Sequence, residues 1–208
     1  MPGDKINSQI ESRESGKVFE SFEIEGNKAE IRFAKMADLQ DINAINMARW
    51  RERAESKDTP EEKRQEYREK LLAYGAGGIP EIETKSFMES FSDLNAPFFV
   101  VAEAGGKVIG YIEIGNRSEF DHGGESIWIH TISVLPEYQG KGVSHKLLEN
   151  GVERAHLKPH LKDRKQLVLF THTWTPRAVA FWEKEGFHQD GAVQNETIKM
   201  VKSLEHTE

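Results

Sequence analysis

Alternating apolar and polar positions mark strands near both ends of the chain. VFESFEI (18–24) and AEIRFAK (29–35) alternate on either side of the turn residues EGNK, which predicts a hairpin with Ile31 and Phe33 facing inward. ETIKMVKSL (196–204) alternates in the same way. The pattern therefore predicts a leading hairpin and a closing strand.

Helical spacing of apolar residues predicts helices after the hairpin. Asp38 stands at an N-cap position, and the helix that follows it is expected to reach about residue 55. TPEE (59–62) supplies a cap, a proline in the first turn and a capping-box glutamate, which together start a second helix. FMESF (87–91) belongs to a short amphipathic piece.

Longer apolar runs predict a sheet in the second half of the chain. PFFVVAEA (97–104) and KVIGYIEI (107–114) flank a Gly-Gly turn, the signal of an antiparallel hairpin, and SIWIHTISV (126–134) adds a third strand. QLVLFTH (166–172) has a wholly apolar centre, as a buried parallel strand would, and amphipathic helices lie on both sides of it. This order is typical of an α+β fold with one βαβ unit.

Composition narrows the class of protein. The chain has 208 residues, a net charge of −7 and no cysteine. That length fits a single domain, expected over residues 18–208, after a flexible polar tail at residues 1–17. The lack of cysteine excludes a disulfide scaffold and a cysteine nucleophile, and it favours the cytoplasm. The acidity argues against nucleic-acid binding, no apolar run is long enough to span a membrane, and the eight histidines show no metal-ligand spacing.

The stretch VLPEYQGKGVSHKL (134–147) places two glycines and a lysine where a strand passes into a helix. Amides at a helix N-terminus lack intrahelical partners and favour an anion, and glycines allow the backbone to approach phosphate oxygens closely. Residues 139–144, called here the glycine-rich turn, are therefore a candidate pyrophosphate site. An ordinary strand-to-helix turn that binds nothing explains the spacing equally well. The segment has neither the triphosphate nor the dinucleotide glycine pattern.

Two segments resemble motifs of the GNAT superfamily of N-acetyltransferases. ISVLPEYQGKGVSHKLL (132–148) resembles the acyl-CoA-binding motif, in which a strand ending in Val-x-Pro precedes Gln/Arg-x-x-Gly-x-Gly/Ala and a helix. TPRAVAFWEKEGF (175–187) resembles the second motif, Asn-x-x-Ala-x-x-x-Tyr-x-x-x-Gly-Phe. The resemblance covers roughly residues 29–204, with the distinctive residues at 126–188.

The resemblance implies both a fold and a cofactor. The fold would be a mixed, mostly antiparallel sheet flanked by helices and splayed between the strands at 126–134 and 166–172, with the pantetheine arm of acetyl-CoA in the gap. Backbone groups of Ile132 and Val134 would pair with that arm. The other residues implied to bind the coenzyme are Gln139, Gly140, Lys141, Gly142, Val143, Ser144, Thr175 and Trp182.

Three positions depart from the family pattern. Ser144 replaces the last Gly or Ala of the acyl-CoA-binding motif, and a phosphate site should tolerate this change. Thr175 replaces the asparagine of the second motif, and it is expected to cap the next helix rather than reach the cofactor. Trp182 replaces a frequent tyrosine proposed to protonate the leaving thiolate, and an indole N–H cannot act as an acid at neutral pH. A thiolate whose conjugate acid has a pKa of about 8.5 needs only modest proton assistance, so the chemistry remains compatible with tryptophan.

His130 is the candidate catalytic residue. Strict alternation in SIWIHTISV would place Trp128, His130, Ile132 and Val134 on one face. Some family members that acetylate aryl amines carry a histidine at a similar position, and imidazole titrates near neutrality, which suits a proton carrier. A half-buried histidine hydrogen-bonded to a neighbour is an equal alternative.

The sequence thus predicts an acetyl-CoA-dependent N-acetyltransferase that moves an acetyl group to a primary amine of a small molecule or peptide by direct transfer in a ternary complex. A non-catalytic acyl-CoA-binding or regulatory domain is the alternative, motivated by Trp182. The acceptor is expected to bind between the helices within 38–92 and the loop 115–125. Glu113 is a lower-ranked candidate to point toward that cleft, and His172 is a candidate to line it. A homodimer is one possible assembly of the chain.

Overall fold

A computed structural model describes residues 15–74, 81–117 and 124–204 of the chain. Over these residues, eight strands form one sheet in the order β1-β2-β3-β4-β5-β6-β8-β7. The strands are β1 (Val18–Ile24), β2 (Asn27–Phe33), β3 (Phe98–Ala104), β4 (Lys107–Gly115), β5 (Ser126–Val134), β6 (Gln166–His172), β7 (His188–Gln189) and β8 (Thr197–Ser203). The helices are α1 (Leu39–Glu55), α2 (Glu61–Tyr74), α3 (Glu81–Ser92), α4 (Val143–His156) and α5 (Pro176–Lys184).

The sheet opens between its two parallel strands. All neighbouring strands pair antiparallel except β5 and β6, which are joined through α4 as a βαβ unit. Parallel pairing runs only from Ser126↔Gln166 to Ile129↔Leu169, although β5 continues to Val134. The strands therefore diverge beyond Ile129 and Leu169, and this gap is called the fork below. The predicted α+β fold, with a mostly antiparallel sheet splayed at this place, is confirmed.

A β-bulge at His130 changes which side chains of β5 share a face. Glu113 pairs with Thr131, whereas the next residue of β4, Ile114, pairs with Ile129, so His130 is the extra residue. Ile127 and Ile129 before the bulge share a buried cluster with Ile132 and Val134 after it, whereas Trp128 packs in a different cluster with Val168 and Val201. The strict alternation expected from the sequence is therefore wrong beyond Ile129.

The helices cover both faces of the sheet. Leu147 and Leu148 of α4 pack in the cluster that contains the inward side chains of β4, and α5 contributes Trp182 to the same cluster. Ile42 and Ile45 of α1 pack in a second cluster on the opposite face. α1 and α2 pack together through a third cluster, in which Trp50 and Tyr67 are joined by Trp174 of the β6–α5 connection. The apolar spacing seen in the sequence thus matches the buried helix faces.

Asp38 does not act as the predicted cap. It occupies the N-cap position of α1, but its side chain makes no capping hydrogen bond. Both carboxylate oxygens instead accept hydrogen bonds from the buried guanidinium of Arg32, at 2.6 and 2.9 Å. A buried arginine without such a partner would be costly, so the ion pair outcompetes the cap.

Some sequence predictions fall outside the described residues. These are most of the tail at 1–17 and part of the loop at 115–125, namely residues 1–14 and 118–123. Within the described ranges, no helix has the length and apolarity needed to cross a membrane.

Candidate active site

A cavity of about 410 Å³ lies at the fork. Its β5 wall is formed by Ile132, Ser133 and Val134. Ile132 and Val134 belong to the cluster packed under α4, and Ser133 between them points to the opposite face of the sheet. Residues from both faces of the sheet therefore line the cavity at the fork. Its other lining residues are Arg49, Glu52, Arg53, Ser56, Asp58, Thr59, Gln139, Gly140, Ser144, Trp174, Thr175, Pro176, Arg177, Ala178 and Phe181.

The glycine-rich turn forms one end of this cavity. Gly140 and Gly142 have φ angles of +76° and +82°, a conformation that other residues adopt only with strain. A Cβ at either position would meet no atom of the described residues within 4 Å, so the backbone on that side is open to them. Gly142 is the N-cap residue of α4, whose first-turn amides have no intrahelical acceptors. The turn can therefore offer several N–H donors to one anion.

Six of the ten predicted coenzyme residues line the cavity, and four do not. The six are Ile132, Val134, Gln139, Gly140, Ser144 and Thr175. Of the others, Lys141 pairs with Glu25 at 2.6 Å and lies over the Tyr138 ring. The side chains of Val143 and Trp182 are in the core, and Gly142 supplies the helix N-terminus.

Thr175 differs from its expected role. It is the N-cap residue of α5, but its side chain makes no capping hydrogen bond. Its hydroxyl donates instead to the carbonyl of His172 at 2.7 Å and lies 3.2 Å from the hydroxyl of Thr171. The expectation that Thr175 caps α5 is wrong, because the preceding turn already engages its hydroxyl.

Trp182 is a core residue in the position of the family tyrosine. Its ring is 95% buried, and its centroid lies 4.8 Å from that of Phe181 and 5.2 Å from that of Phe187. Phe181 lines the cavity, whereas Trp182 lies behind it. No hydroxyl therefore stands at this position to protonate a leaving group.

The titratable candidates lie around the cavity rather than in its wall. His130 is half-buried in the bulge, with its Nε2 3.0 Å from the carbonyl oxygen of Asn116. It is the first β5 residue beyond the last parallel pair, at the base of the fork. Glu113 pairs with Thr131 on the neighbouring strand. His172 stacks on Trp174 at 4.7 Å, and burial, followed by the charge of Arg53, lowers the pKa of its imidazole.

Sequence reasoning missed the charged residues that α1 brings to the cavity. Arg49, Glu52 and Arg53 follow i, i+3, i+4 spacing, so they share one helix face. Arg53 donates to the hydroxyl of Tyr67 at 2.8 Å, and its guanidinium lies 5.5 Å from the centre of the Trp174 ring. Burial lowers the pKa of Arg53, and the charge of Arg49 lowers it further. The spacing was a usable signal, but it is equally typical of a solvated helix face.

The forked sheet and the glycine-rich turn beside it define the acyltransferase class that the two motifs indicated. The model of the Acetyltransferase (GNAT) family matches residues 46–187, which is more than half of the chain. The chain therefore belongs to this family and is an acyltransferase. Among curated proteins, none is similar enough in sequence to count as a match.

Solved structures show the same fold. The PaiA N-acetyltransferase of Thermoplasma acidophilum, in complex with coenzyme A, is 20% identical, with 85% of this chain and 99% of that chain covered and a TM-score of 0.65. PH1933 of Pyrococcus horikoshii is 21% identical, with 86% and 99% covered and a TM-score of 0.58. The yncA protein of Salmonella typhimurium, solved with acetyl-CoA, is 20% identical, with 86% and 96% covered and a TM-score of 0.54. At these identities the likeness concerns the fold alone.

Proposed function

We propose that residues 18–208 form an acetyl-CoA-dependent N-acetyltransferase domain that acetylates a primary amine of a small molecule or peptide by direct transfer in a ternary complex. One observation carries the proposal: a single cavity joins the glycine-rich turn, the fork and the face of α1. Coenzyme A and acetyl-CoA in two structures of the same fold support this choice of co-substrate. The chain has no cysteine, so a cysteine-bound acetyl intermediate is excluded.

In this proposal the turn and the fork hold the coenzyme. The amides of residues 140–144 bind the pyrophosphate, because a helix N-terminus and two glycines present donors without side-chain obstruction. The amide of Gln139 already donates to the carbonyl of Pro136 at 3.2 Å. Among the described residues, no strand pairs with the β6-facing edge of β5 beyond Ile129, and the pantetheine arm pairs there with backbone groups of Ile132 and Val134. The thioester then lies at the fork, with the acceptor on the side of α1.

Transfer requires a free amine. Deprotonating an ammonium group of pKa about 10.4 at neutral pH costs roughly 4 to 5 kcal/mol. The amine lone pair then attacks the thioester carbonyl, the C–S bond breaks, and coenzyme A leaves as a thiolate that takes up a proton. We assign the removal of the amine proton to His130, directly or through water, because it lies at the base of the fork and imidazole is a common general base in enzymes.

The test is release of free thiol from acetyl-CoA with a panel of primary amines, measured from pH 6 to 9. His130→Ala should lower kcat/KM by about 10²- to 10⁴-fold, with the larger loss at low pH where little free amine is present. Glu52→Gln tests the carboxylate that lines the cavity, and His188→Gln is the exposed control. An unchanged pH profile in His130→Ala would exclude His130, and a changed profile in Glu52→Gln alone would transfer the role to Glu52.

A non-catalytic coenzyme-binding domain is the second candidate, favoured by the buried Trp182 in place of the tyrosine. It predicts that coenzyme A binds in calorimetry while no amine in the panel releases thiol. If coenzyme A does not bind, both candidates fail.

A further inference from the structure

Arg49 and Arg53 bring two positive charges to the acceptor side of the cavity. They lie one helical turn apart on α1, and both line the cavity together with Trp174. Arg51, between them in sequence, is exposed on another face of the same helix. The two arginines are thus presented to the cavity by the geometry of α1.

Neither arginine has a counter-ion in the part of the chain that the structure describes, because no carboxylate there forms an ion pair with either guanidinium. The hydrogen bond of Arg53 goes to the neutral hydroxyl of Tyr67. The Nε of Arg49 is buried without a hydrogen-bond partner. Both arginines are half-buried, and charges withdrawn from water are normally paired. Two guanidinium groups that face one cavity without a carboxylate partner among the described residues therefore indicate an anionic occupant.

Within the described residues, neither carboxylate of the cavity forms an ion pair with these two arginines, although the charge of Glu52 acts favourably on Arg53. Glu52 lies 3.4 Å from the Gln139 side chain and 3.6 Å from Arg177, at the end of α1 that reaches the glycine-rich turn. Asp58 is exposed. The α1 side chain nearest the glycine-rich turn is therefore the negative Glu52. Its charge disfavours binding of the pyrophosphate between the turn and the two arginines.

We propose that the acceptor amine carries an anionic group, a carboxylate or a phosphate, which Arg49 and Arg53 bind beside the ring of Trp174. This inference rests on the proposed function and specifies its substrate class. Planar guanidinium groups suit both anions, since their N–H donors match two oxygens at once. Amino acids and amino phosphates fit the site, whereas polyamines and other purely cationic amines would be repelled.

The experiment compares amines that share a skeleton and differ in the anion. Each KM is expressed for the free amine, because loss of the anion also changes the pKa of the amino group. L-phenylalanine is paired with L-phenylalaninamide, and phosphoethanolamine with ethanolamine, with spermidine as the cationic case. The anionic member of at least one pair should have a KM about 10- to 100-fold lower. Arg49→Gln and Arg53→Gln should each remove that preference while leaving the Kd for coenzyme A within about twofold, and Arg51→Gln should change neither. Thermal unfolding of each variant checks that it folds. Arg53→Lys keeps the positive charge and should retain part of the preference for the anionic amines.

The outcomes separate this inference from the proposed function. Two results would overturn the inference without contradicting the proposed acetyltransferase activity. One is turnover with equal KM values within every pair, and the other is a loss of coenzyme A affinity in both Arg49→Gln and Arg53→Gln. If no amine releases thiol, the proposed activity fails, and calorimetry of the same pairs on the protein saturated with coenzyme A decides the inference. Binding of the anionic members that is lost in Arg53→Gln supports it, and equal binding within each pair rejects it.

Discussion

At the scale of single residues, burial decides what a charge contributes. Arg32 is only 3% exposed and pairs with Asp38 and Glu103, each at 2.6 Å. The alternating pattern of β2 correctly predicted that Ile31 and Phe33 are buried. The same pattern puts Arg32 on the opposite face of the strand, which would be exposed to solvent if no other element covered it. The partner Asp38 arrives from the start of α1, which no local pattern of β2 encodes.

Removing the carboxylate of Asp38 should therefore be strongly destabilising. Asp38→Ala removes the two hydrogen bonds that the buried guanidinium of Arg32 donates to Asp38 and leaves Glu103 as its remaining carboxylate partner, so the free energy of unfolding should fall by about 3–5 kcal/mol. Lys28→Met is the matched control, because it breaks the ion pair of Lys28 with Glu30 at an exposed site and should cost no more than about 1 kcal/mol. Urea unfolding measures both, and equal losses in the two variants would refute the role assigned to burial.

At the scale of elements, turn chemistry made most boundaries predictable. The Gly-Gly hairpin and the proline near the start of α5 fall where the sequence placed them. The fork and the bulge at His130 were different cases. The resemblance to the family motifs implied the fork. The alternation of residues in β5 gave no sign of the bulge, because a bulge depends on the register with a partner strand, which the sequence of β5 alone does not contain. The two-residue β7 is too short to show a period.

The glycine-rich turn gives an element-scale prediction. Gly140→Ala puts a Cβ into the open side of the turn, where a phosphate would lie, and should weaken coenzyme A binding at least tenfold in calorimetry. Gly106→Ala is matched to it, since Gly106 has a φ of +78° and no atom within 4 Å of the Cβ position. Both variants should lose a similar 1–2 kcal/mol or so of stability to backbone strain. Equal coenzyme affinities in the two variants would remove the turn from the binding site.

At the scale of the whole molecule, the acidic chain encloses a cavity whose acceptor side is basic. The net charge of −7 gave no hint of Arg49 and Arg53, because it sums over surface carboxylates remote from the site. The local structure of the proposed coenzyme side was predictable because its motif is confined to one strand, one turn and one helix. The acceptor side is assembled from α1, the α1–α2 connection and the β6–α5 connection, and only the fold brings these segments together.

The pH dependence of stability also belongs to the whole chain. Burial lowers the pKa of His160 and of His172 in the folded state. As the pH falls, these histidines are protonated in the unfolded chain before they are protonated in the folded protein. The free energy of unfolding is therefore highest above the ordinary histidine pKa of about 6.5 and decreases as the pH drops below it. His172→Phe keeps the stack on Trp174 and removes one such group. The loss of unfolding free energy between pH 7.5 and 5.5 should be smaller in this variant, and a loss as large as in the wild type would contradict the assignment.

The central claim is that the backbone of residues 139–144 binds the pyrophosphate of coenzyme A. Titration of isotope-labelled protein with coenzyme A, followed by the amide NMR resonances, tests it most directly. The amides of Gln139 through Ser144 are expected to shift together and saturate, with smaller shifts at Ile132 and Val134 along the fork. Resonances of the turn that stay unmoved at millimolar coenzyme A would contradict it.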